Sequence, residues 1–466
     1  MRRKEIWAVL FASCAGLLFC GHLMAQKINE KKCQELQSYF LNYLQGDEIG
    51  YAKSEGMKVS AIASATQTVW QAWVKANNSY DEEKLIPMDS LSLGKNGRWK
   101  LPEELEPSAT MPYYFGFKGG APAQGYPLYL YLHGSGDKES EWSIGLRLCQ
   151  FFDDAPSLYF IPQIPNMGDY YRWWQKSKQF AWEKLLRLAF VSGNVNPAKV
   201  YLFGISEGGY GSQRLASYYA DYLAAAGPMA GGEPLINAPV ENCANIGFSF
   251  LTGEKDYMFE RNVLTGITKQ MFDSLQALHP GLYNHRIELV SNMGHGVDYT
   301  RTTPWLKLST RNPYPTYVNW EDFPMDGNYR TGFYNLAVME RSNEDEDARA
   351  HYEMNIQGNN VDIKVNLVRY DGCEFSKQWG YPVKYNKVYS PVKTGKFIVY
   401  LNNRLVDLSK KVTLHVNGKL LYRGRVKCDM MNMVNSCATF FDPLRLYPAA
   451  LVVDLEDMSA IDATNE

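Results

Sequence analysis

The chain has 466 residues, of which 45% are apolar and 14% aromatic, so it holds enough apolar material for more than one core and is not a disordered protein. Its 48 basic and 50 acidic residues give a net charge of −2, which excludes the broad basic face expected of a nucleic-acid-binding protein. At roughly 150 residues per domain, the length indicates two or three domains.

The N-terminal residues predict the compartment. Three basic residues precede an apolar run from Ile6 to Phe19, a pattern typical of a cleaved secretory signal covering residues 1–25. We therefore expect an exported protein, periplasmic or secreted. Cys20 also permits a lipoprotein tether, which we favour less because bulky Phe19 precedes it. No later segment approaches the roughly 20 apolar residues that a membrane span needs.

Six cysteines follow this segment at wide spacing, without a Cys-x-x-Cys pair that would suggest zinc or redox chemistry. The pattern favours buried free thiols, and Cys428 with Cys437 is the one short loop to check for a disulfide.

Residues 26–110 predict one or two packing helices and then a loop-like lead-in. Apolar residues recur there at helical spacing: Leu36, Phe40, Leu44, Ile62, Val69, Trp70 and Trp73.

Between residues 111 and 326, short apolar runs alternate with helical stretches, which predicts a mostly parallel sheet with helices on both faces. The predicted strands are 128–132, 158–162, 199–203, 248–252 and 286–290, and the predicted helices are 180–191, 212–222 and 265–278.

Residues 327–466 show the period-two alternation of β-strands and predict a separate, sandwich-like β domain. Within it, Asn417-Gly418 separates two alternating runs, which is typical of a two-residue hairpin turn with positive φ at both positions.

The sharpest motif is Gly204-Ile205-Ser206-Glu207-Gly208, between a predicted strand and a predicted helix. A serine on such a tight turn projects its hydroxyl outward, and the flanking glycines avoid collisions with neighbouring backbone. We therefore predict that Ser206 is a nucleophile.

A serine nucleophile needs a neighbouring imidazole and a carboxylate that orients it. His295 stands in a glycine-containing loop after the strand 286–290 and is the predicted general base. Asp256, after the strand 248–252, is the favoured acid; Glu254 and Glu233 are alternatives.

The tetrahedral oxyanion requires two backbone N–H donors. Glu207, next to the nucleophile, supplies one, and we expect Ser135 in His133-Gly134-Ser135-Gly136 to supply the other, with Gly136 as the alternative.

On these motifs, residues 111–304 resemble the α/β-hydrolase fold, and more narrowly the secreted esterases similar to feruloyl esterases and polyhydroxybutyrate depolymerases. The resemblance implies acyl transfer by Ser206, Asp256 and His295 without a metal or cofactor. The β tail is similar to the small sandwich appended to some exported bacterial hydrolases. Glu207 departs from the Met or Ala frequent in these relatives, which leaves the substrate open.

The rim of the site suggests a carbohydrate substrate. Only a short stretch separates Gly232 from Phe248, where lids are commonly inserted in this fold, so we expect an open site that suits a polymer. Trp173 and Trp174 could form a wall that stacks on sugar or aryl rings, and Arg172 could bind a carboxylate.

The leading hypothesis is an exported serine carboxylesterase that removes methyl, acetyl or hydroxycinnamoyl groups from plant-type polysaccharides such as pectin or xylan. A serine peptidase similar to prolyl oligopeptidases and a non-catalytic glycan-binding protein are the alternatives. The sequence does not indicate an oligomeric state.

Overall fold

The structure, a computed structural model, describes residues 29–47 and 50–465. The predicted signal segment 1–25, including Cys20, lies outside these residues. Within the described ranges, no helix is long and apolar enough to cross a membrane.

Two helices lead into the central sheet, in the segment where the sequence predicts them. They are α1 (Glu30–Gln45) and α2 (Ile62–Ser79). The Asn29 side chain accepts a hydrogen bond from the Lys32 N–H and so caps the first helix. The apolar faces of both helices are buried, with Leu36, Phe40 and Trp73 at their shared core.

An eight-stranded sheet forms the centre of the molecule. Its strands are β1 (Asn96–Lys100), β2 (Thr110–Lys118), β3 (Tyr126–Leu132), β4 (Ser157–Pro162), β5 (Val195–Ile205), β6 (Ala225–Met229), β7 (Gly247–Gly253) and β8 (His285–Val290). The order is β1-β2-β4-β3-β5-β6-β7-β8, with β2 antiparallel to its neighbours and the strands from β3 to β8 parallel. The carboxyl ends of the parallel strands therefore meet at one edge.

Helices cover both faces of this sheet. They are α3 (Lys138–Phe151), α4 (Lys176–Val191), α5 (Glu207–Tyr218), α6 (Arg261–Leu278) and α7 (Thr302–Leu306). Alternate residues of β3 point to opposite faces: Leu128 and Leu130 pack in the cluster that includes α4 and α5, and Tyr129 and Tyr131 pack in the cluster that includes α3. The predicted α/β-hydrolase fold is confirmed by this architecture. Strand β6 carries no clear strand signal in the sequence, because its residues are small or include proline.

Two further sheets follow. Their strands are β9 (Tyr317–Asp322), β10 (Gly332–Phe333), β11 (Leu336–Glu340), β12 (Arg349–Gln357), β13 (Asn360–Phe375), β14 (Pro382–Pro391), β15 (Lys396–Leu401), β16 (Val412–Val416), β17 (Lys419–Gly424), β18 (Ala449–Asp454) and β19 (Ser459–Asp462). One sheet has the order β17-β16-β13-β12-β9, with β14 paired to β13, and the other has the order β10-β11-β15-β18-β19.

The two sheets share a core, as in a sandwich. The Tyr352 ring stacks on Trp320 within one sheet and meets Phe397 of the other at 5.3 Å between centroids. The predicted turn joins β16 and β17, where Asn417 and Gly418 have φ of 49° and 77°. Strand β1 lies inside the predicted lead-in 26–110, and β9 lies inside the predicted catalytic region 111–326.

The C-terminal region also contains one helix among its strands, α8 (Met430–Phe440), which the period-two pattern did not predict. Asp429 caps it by accepting from the Met431 N–H, and Met433, Val434 and Cys437 pack in the same core as α1 and α2. The first and last parts of the described chain therefore form one helical layer.

A buried ionic network joins the C-terminal region to the central sheet. Arg330 Nη1 lies 3.0 Å from Asp221 Oδ1, and Arg445 bonds both Asp221 and Asp442. Arg311 Nη1 lies 2.8 Å from Asp442 Oδ2. Because breaking a buried ion pair leaves an uncompensated charge, these contacts fix the relative position of the two regions.

All six described cysteines are free thiols. Five of them are buried, as the sequence predicts, whereas Cys373 is exposed, contrary to that prediction; Cys428 and Cys437 are not bonded to each other.

Candidate active site

Ser206 lies on a sharp turn between β5 and α5, at the carboxyl edge of the parallel strands. Its backbone has φ 57° and ψ −113°, a strained conformation for a residue with a side chain. A Cβ on Gly208 would come within 2.0 Å of the Leu132 carbonyl oxygen, and one on Gly204 within 2.4 Å of the Gly208 carbonyl oxygen. The close contact of turn and strand therefore requires glycine at both positions, and it presents the Ser206 hydroxyl at the surface.

The predicted nucleophile, base and acid come together although they are far apart in the sequence. His295 Nε2 lies 3.1 Å from Ser206 Oγ, and His295 Nδ1 lies 2.7 Å from Asp256 Oδ2. The His295 side chain is 47% exposed, whereas that of Asp256 is only 3% exposed. This arrangement can take a proton from the serine hydroxyl while a fixed carboxylate holds the imidazole.

Arg261, which belongs to no sequence motif, supports the acid. Its Nη1 donates to Asp256 Oδ1 at 3.0 Å, so the two carboxylate oxygens of Asp256 face Arg261 and His295 respectively. A buried carboxylate needs such partners because burial removes its hydration. Both residues belong to the segment 256–261, which we call the acid loop.

The two alternative acids do not contact His295. Glu254 is exposed and accepts a hydrogen bond from the Asn292 N–H at 2.9 Å. Glu233 is buried, and its Oε1 lies 2.7 Å from Arg214 Nε. Of the three candidates, the structure brings Asp256 to the imidazole.

The loop of residues 133–136, which we call the oxyanion loop, follows β3 beside Ser206. The Gly134 N–H lies close to the Glu141 carboxylate, and the Gly136 N–H lies close to the Tyr171 hydroxyl oxygen. Among the described residues, no acceptor is found for the Ser135 N–H. Ser135 is also exposed, so its N–H is free to bind an oxyanion.

His133 fixes the oxyanion loop from inside the protein. Its Nε2 accepts from the Ile164 N–H at 3.1 Å, so its Nδ1 carries the proton and donates to the Gly134 carbonyl oxygen at 2.8 Å. Burial lowers the pKa of His133 to about 4, because the charged imidazolium is poorly solvated there. The ring therefore stays neutral, in one tautomer, at any ordinary pH.

Trp173 does not line the rim, contrary to the sequence prediction. It is fully buried, and its Nε1 donates to the His133 carbonyl oxygen at 2.9 Å. The Tyr171 hydroxyl donates to the Gly134 carbonyl oxygen at 2.8 Å. Both side chains point inward because the oxyanion loop has carbonyl groups that need donors, and alternation of polar and apolar residues cannot reveal such partners.

The other predicted rim residues lie near the surface. Trp174 is half-buried, with the Arg214 guanidinium 3.9 Å from its ring centroid. The Arg172 side chain is 47% exposed, and its Nη1 lies 3.7 Å from Glu207 Oε1. One face of Trp174 is therefore occupied by Arg214, while Arg172 remains accessible to a ligand.

Glu207 places a carboxyl group directly after the nucleophile. Burial raises its pKa to about 7, and Glu233 adds to the effect, while Arg172, Arg214 and Arg261 oppose it. This side chain changes charge near neutral pH, close to Ser206. Among the described residues, no cluster of three or more His, Cys, Asp or Glu side chains is arranged to hold a metal ion.

No protein-family model and no curated protein sequence matches the chain. Solved structures similar to it include a thermostable esterase, with 20% identity over 47% of this chain, a TM-score of 0.37, and only 63% of that protein's length covered. An acetyl xylan esterase from Aspergillus awamori is 10% identical over 46% of this chain and all of that protein, with a TM-score of 0.34.

A ferulic acid esterase from the anaerobic fungus Anaeromyces mucronatus is 12% identical over 46% of this chain and 89% of that protein, also with a TM-score of 0.34. Likenesses at this level do not assign the chain to a family. The fold assignment rests instead on the strand order and the layers of the structure itself.

Proposed function

We propose that this protein is an exported serine carboxylesterase that removes acyl or methyl ester groups from plant-type polysaccharides. One observation carries the catalytic part of the proposal: Ser206, His295 and Asp256 form a continuous hydrogen-bonded chain at 3.1 and 2.7 Å on an α/β-hydrolase sheet. Export is proposed on the N-terminal sequence pattern alone.

The reaction follows from this geometry. Ser206 Oγ attacks the ester carbonyl carbon as His295 Nε2 accepts the hydroxyl proton, and Asp256 stabilises the imidazolium through Nδ1. The N–H groups of Glu207 and Ser135 receive the oxyanion. The tetrahedral intermediate collapses when His295 gives its proton to the leaving alcohol. Water, activated by the same imidazole, then releases the acid from Ser206.

A polymeric substrate is favoured by the openness of the site. His295 and Arg172 are each about half exposed, and Ser135 is exposed as well. The connection from β6 to β7, residues 230–246, where lids are commonly inserted in this fold, consists only of buried and half-buried positions and so has no exposed lid segment. An ester group that protrudes from a long chain can reach such a serine without threading into a tunnel.

Two experiments test the proposal. First, the protein and its Ser206→Ala variant are incubated with a fluorophosphonate, and labelling only of the unmodified protein is expected; labelling of neither would refute an activated Ser206.

Second, both proteins are incubated with pectin, acetylated xylan and feruloylated arabinoxylan, and released methanol, acetate and ferulate are measured. Ser206-dependent release supports the proposal, whereas cleavage of peptide amides without release from any polysaccharide would overturn it.

A further inference from the structure

The C-terminal region reaches the active site through the tip of its β13–β14 hairpin. Ser376 Oγ donates to Glu260 Oε1 at 2.8 Å, and the Tyr381 hydroxyl donates to the Phe259 carbonyl oxygen at 2.9 Å. The ring of Trp379 lies 5.1 Å from that of Phe259, between centroids. Side chains of the tip, residues 376–381, therefore bond both a side chain and a backbone carbonyl group of the acid loop.

The acid loop is strained where the hairpin touches it. Phe259 and Glu260 have φ of 54° and 57°, so two consecutive residues with side chains adopt the left-handed region. Such conformations persist only where surrounding contacts enforce them, and they concentrate at functional sites. Within the loop, the Glu260 N–H donates to the Tyr257 carbonyl oxygen at 3.0 Å; from outside it, Ser376 bonds Glu260 and Tyr381 bonds Phe259, beside Trp379.

The resulting pair of rings is open to solvent. Phe259 is 40% exposed and Trp379 is 45% exposed, and the neighbouring Tyr257 and Met258 are 63% and 59% exposed. Contiguous exposed apolar side chains cost solubility and usually mark a binding surface. A strained backbone that presents aromatic rings to water has no role in filling a core.

The ring pair lies on the histidine side of the catalytic centre. The acid loop begins at Asp256, which bonds His295, and ends at Arg261, whose guanidinium carbon lies 5.3 Å from the centroid of the Phe259 ring. Since His295 delivers the proton to the departing oxygen, the alcohol portion of the ester must extend from that side. The carbonyl oxygen of the ester faces the N–H donors of the oxyanion loop.

We propose that Phe259 and Trp379 form a subsite that stacks on a sugar ring in the alcohol portion of the substrate. The apolar C–H face of a pyranose ring packs well on the electron-rich face of an aromatic ring. This inference rests on the proposed function and narrows it: acetyl and hydroxycinnamoyl esters place the sugar in the alcohol portion, whereas methyl esters of uronic acids place it in the acyl portion.

The kinetic test compares esters that share an acyl group. The kcat/KM of Trp379→Ala is measured on acetylated xylo-oligosaccharides and on ethyl acetate, and on feruloylated arabino-oligosaccharides and ethyl ferulate. We expect a loss of about tenfold on the sugar ester that the protein hydrolyses, mainly through KM, and a much smaller loss on its ethyl counterpart. Trp379→Phe, which keeps a flat ring, should retain most of the activity.

Phe151→Ala is the matched control, because Phe151 is 76% exposed at the end of α3, at the opposite edge of the sheet. It should leave the rates on all of these esters unchanged. Equal losses on sugar and ethyl esters in Trp379→Ala would mean that the hairpin only supports Asp256, and no loss on either would mean that the ring is unused; each result overturns the subsite. A loss confined to methyl-esterified oligogalacturonides would overturn its placement on the alcohol side.

A binding measurement separates this inference from the proposed function. Unesterified xylo-oligosaccharides are titrated into Ser206→Ala and into Ser206→Ala/Trp379→Ala by calorimetry. A Kd that rises about tenfold in the double variant supports the subsite even if no polysaccharide ester is hydrolysed, in which case only the proposed function falls. Equal Kd values, or no binding by either variant, together with Ser206-dependent release of acetate, would overturn the subsite and leave the proposed function standing.

Discussion

The two loops that flank Ser206 are held in opposite ways. The oxyanion loop is fixed from within, by the buried groups of His133, Tyr171 and Trp173. The acid loop is largely exposed, has two left-handed residues, and is held from outside by the hairpin of another region. Donors that must meet a developing charge need a rigid setting, because reorganisation during the reaction would raise the barrier. On the proposed function, the side that would receive a variable alcohol is built on a loop instead.

The largest effect is expected when Asp256, the carboxylate of the acid loop that bonds His295, loses its charge. Asp256→Asn should lower kcat by a factor on the order of 10⁴, because an amide that donates to His295 favours the wrong imidazole tautomer. The measurement is kcat on a small soluble ester at neutral pH, with folding checked by circular dichroism.

Glu254→Gln is the matched control, two residues away and also an acid-to-amide change. It should retain nearly full activity, because Glu254 contacts the Asn292 N–H rather than the imidazole. If it lost as much activity as Asp256→Asn, the assignment of the acid would be wrong.

The buried carboxyl group of Glu207, next to Ser206, makes the stability of the folded protein depend on pH. In the unfolded chain, Glu207 ionises above about pH 4.5, whereas in the folded protein its pKa is about 7. The folded state therefore loses stability as pH rises between these values. Glu207→Gln, which never ionises, should gain stability relative to the unmodified protein over the same window, by about 3 kcal/mol at pH 8 and by almost nothing near pH 4.

Chemical denaturation at pH 4, 6 and 8 measures this difference. Glu254→Gln serves again as the reference, since it changes an exposed carboxyl group. A stability difference between Glu207→Gln and the unmodified protein that did not vary with pH would contradict burial as the cause of the raised pKa.

The smallest effect is expected from loosening the oxyanion loop at Trp173. Trp173→Phe removes the hydrogen bond to the His133 carbonyl oxygen and keeps most of the buried ring, so kcat should fall about tenfold through a loosened loop. Trp182→Phe loses a similar buried bond, to the Trp173 carbonyl oxygen at 3.1 Å. It should reduce stability to a similar extent without the loss of kcat, and equal kcat values for the two variants would refute the positioning role of Trp173.

The sequence predicted those parts of the molecule that depend on local chemistry. The glycines around Ser206, the loop glycines beside His295 and the strand before Asp256 are short-range signals, and they placed the fold and the three residues that the structure brings together. Residues whose role depends on distant partners were not predictable. Trp173 faces the oxyanion loop from inside, and Trp379 reaches the acid loop from more than a hundred residues away, so neither carries a local signature.

The helical layer made by α1, α2 and α8 constrains how the protein is made. Leu36, Phe40 and Trp73 bury against Met433 and Val434 of α8, so the first helices can complete their core only after synthesis has passed residue 440. Most domains begin to fold as they emerge from the ribosome. Here α1 and α2 must wait for α8, so their apolar faces stay incompletely buried while the residues between them are synthesised.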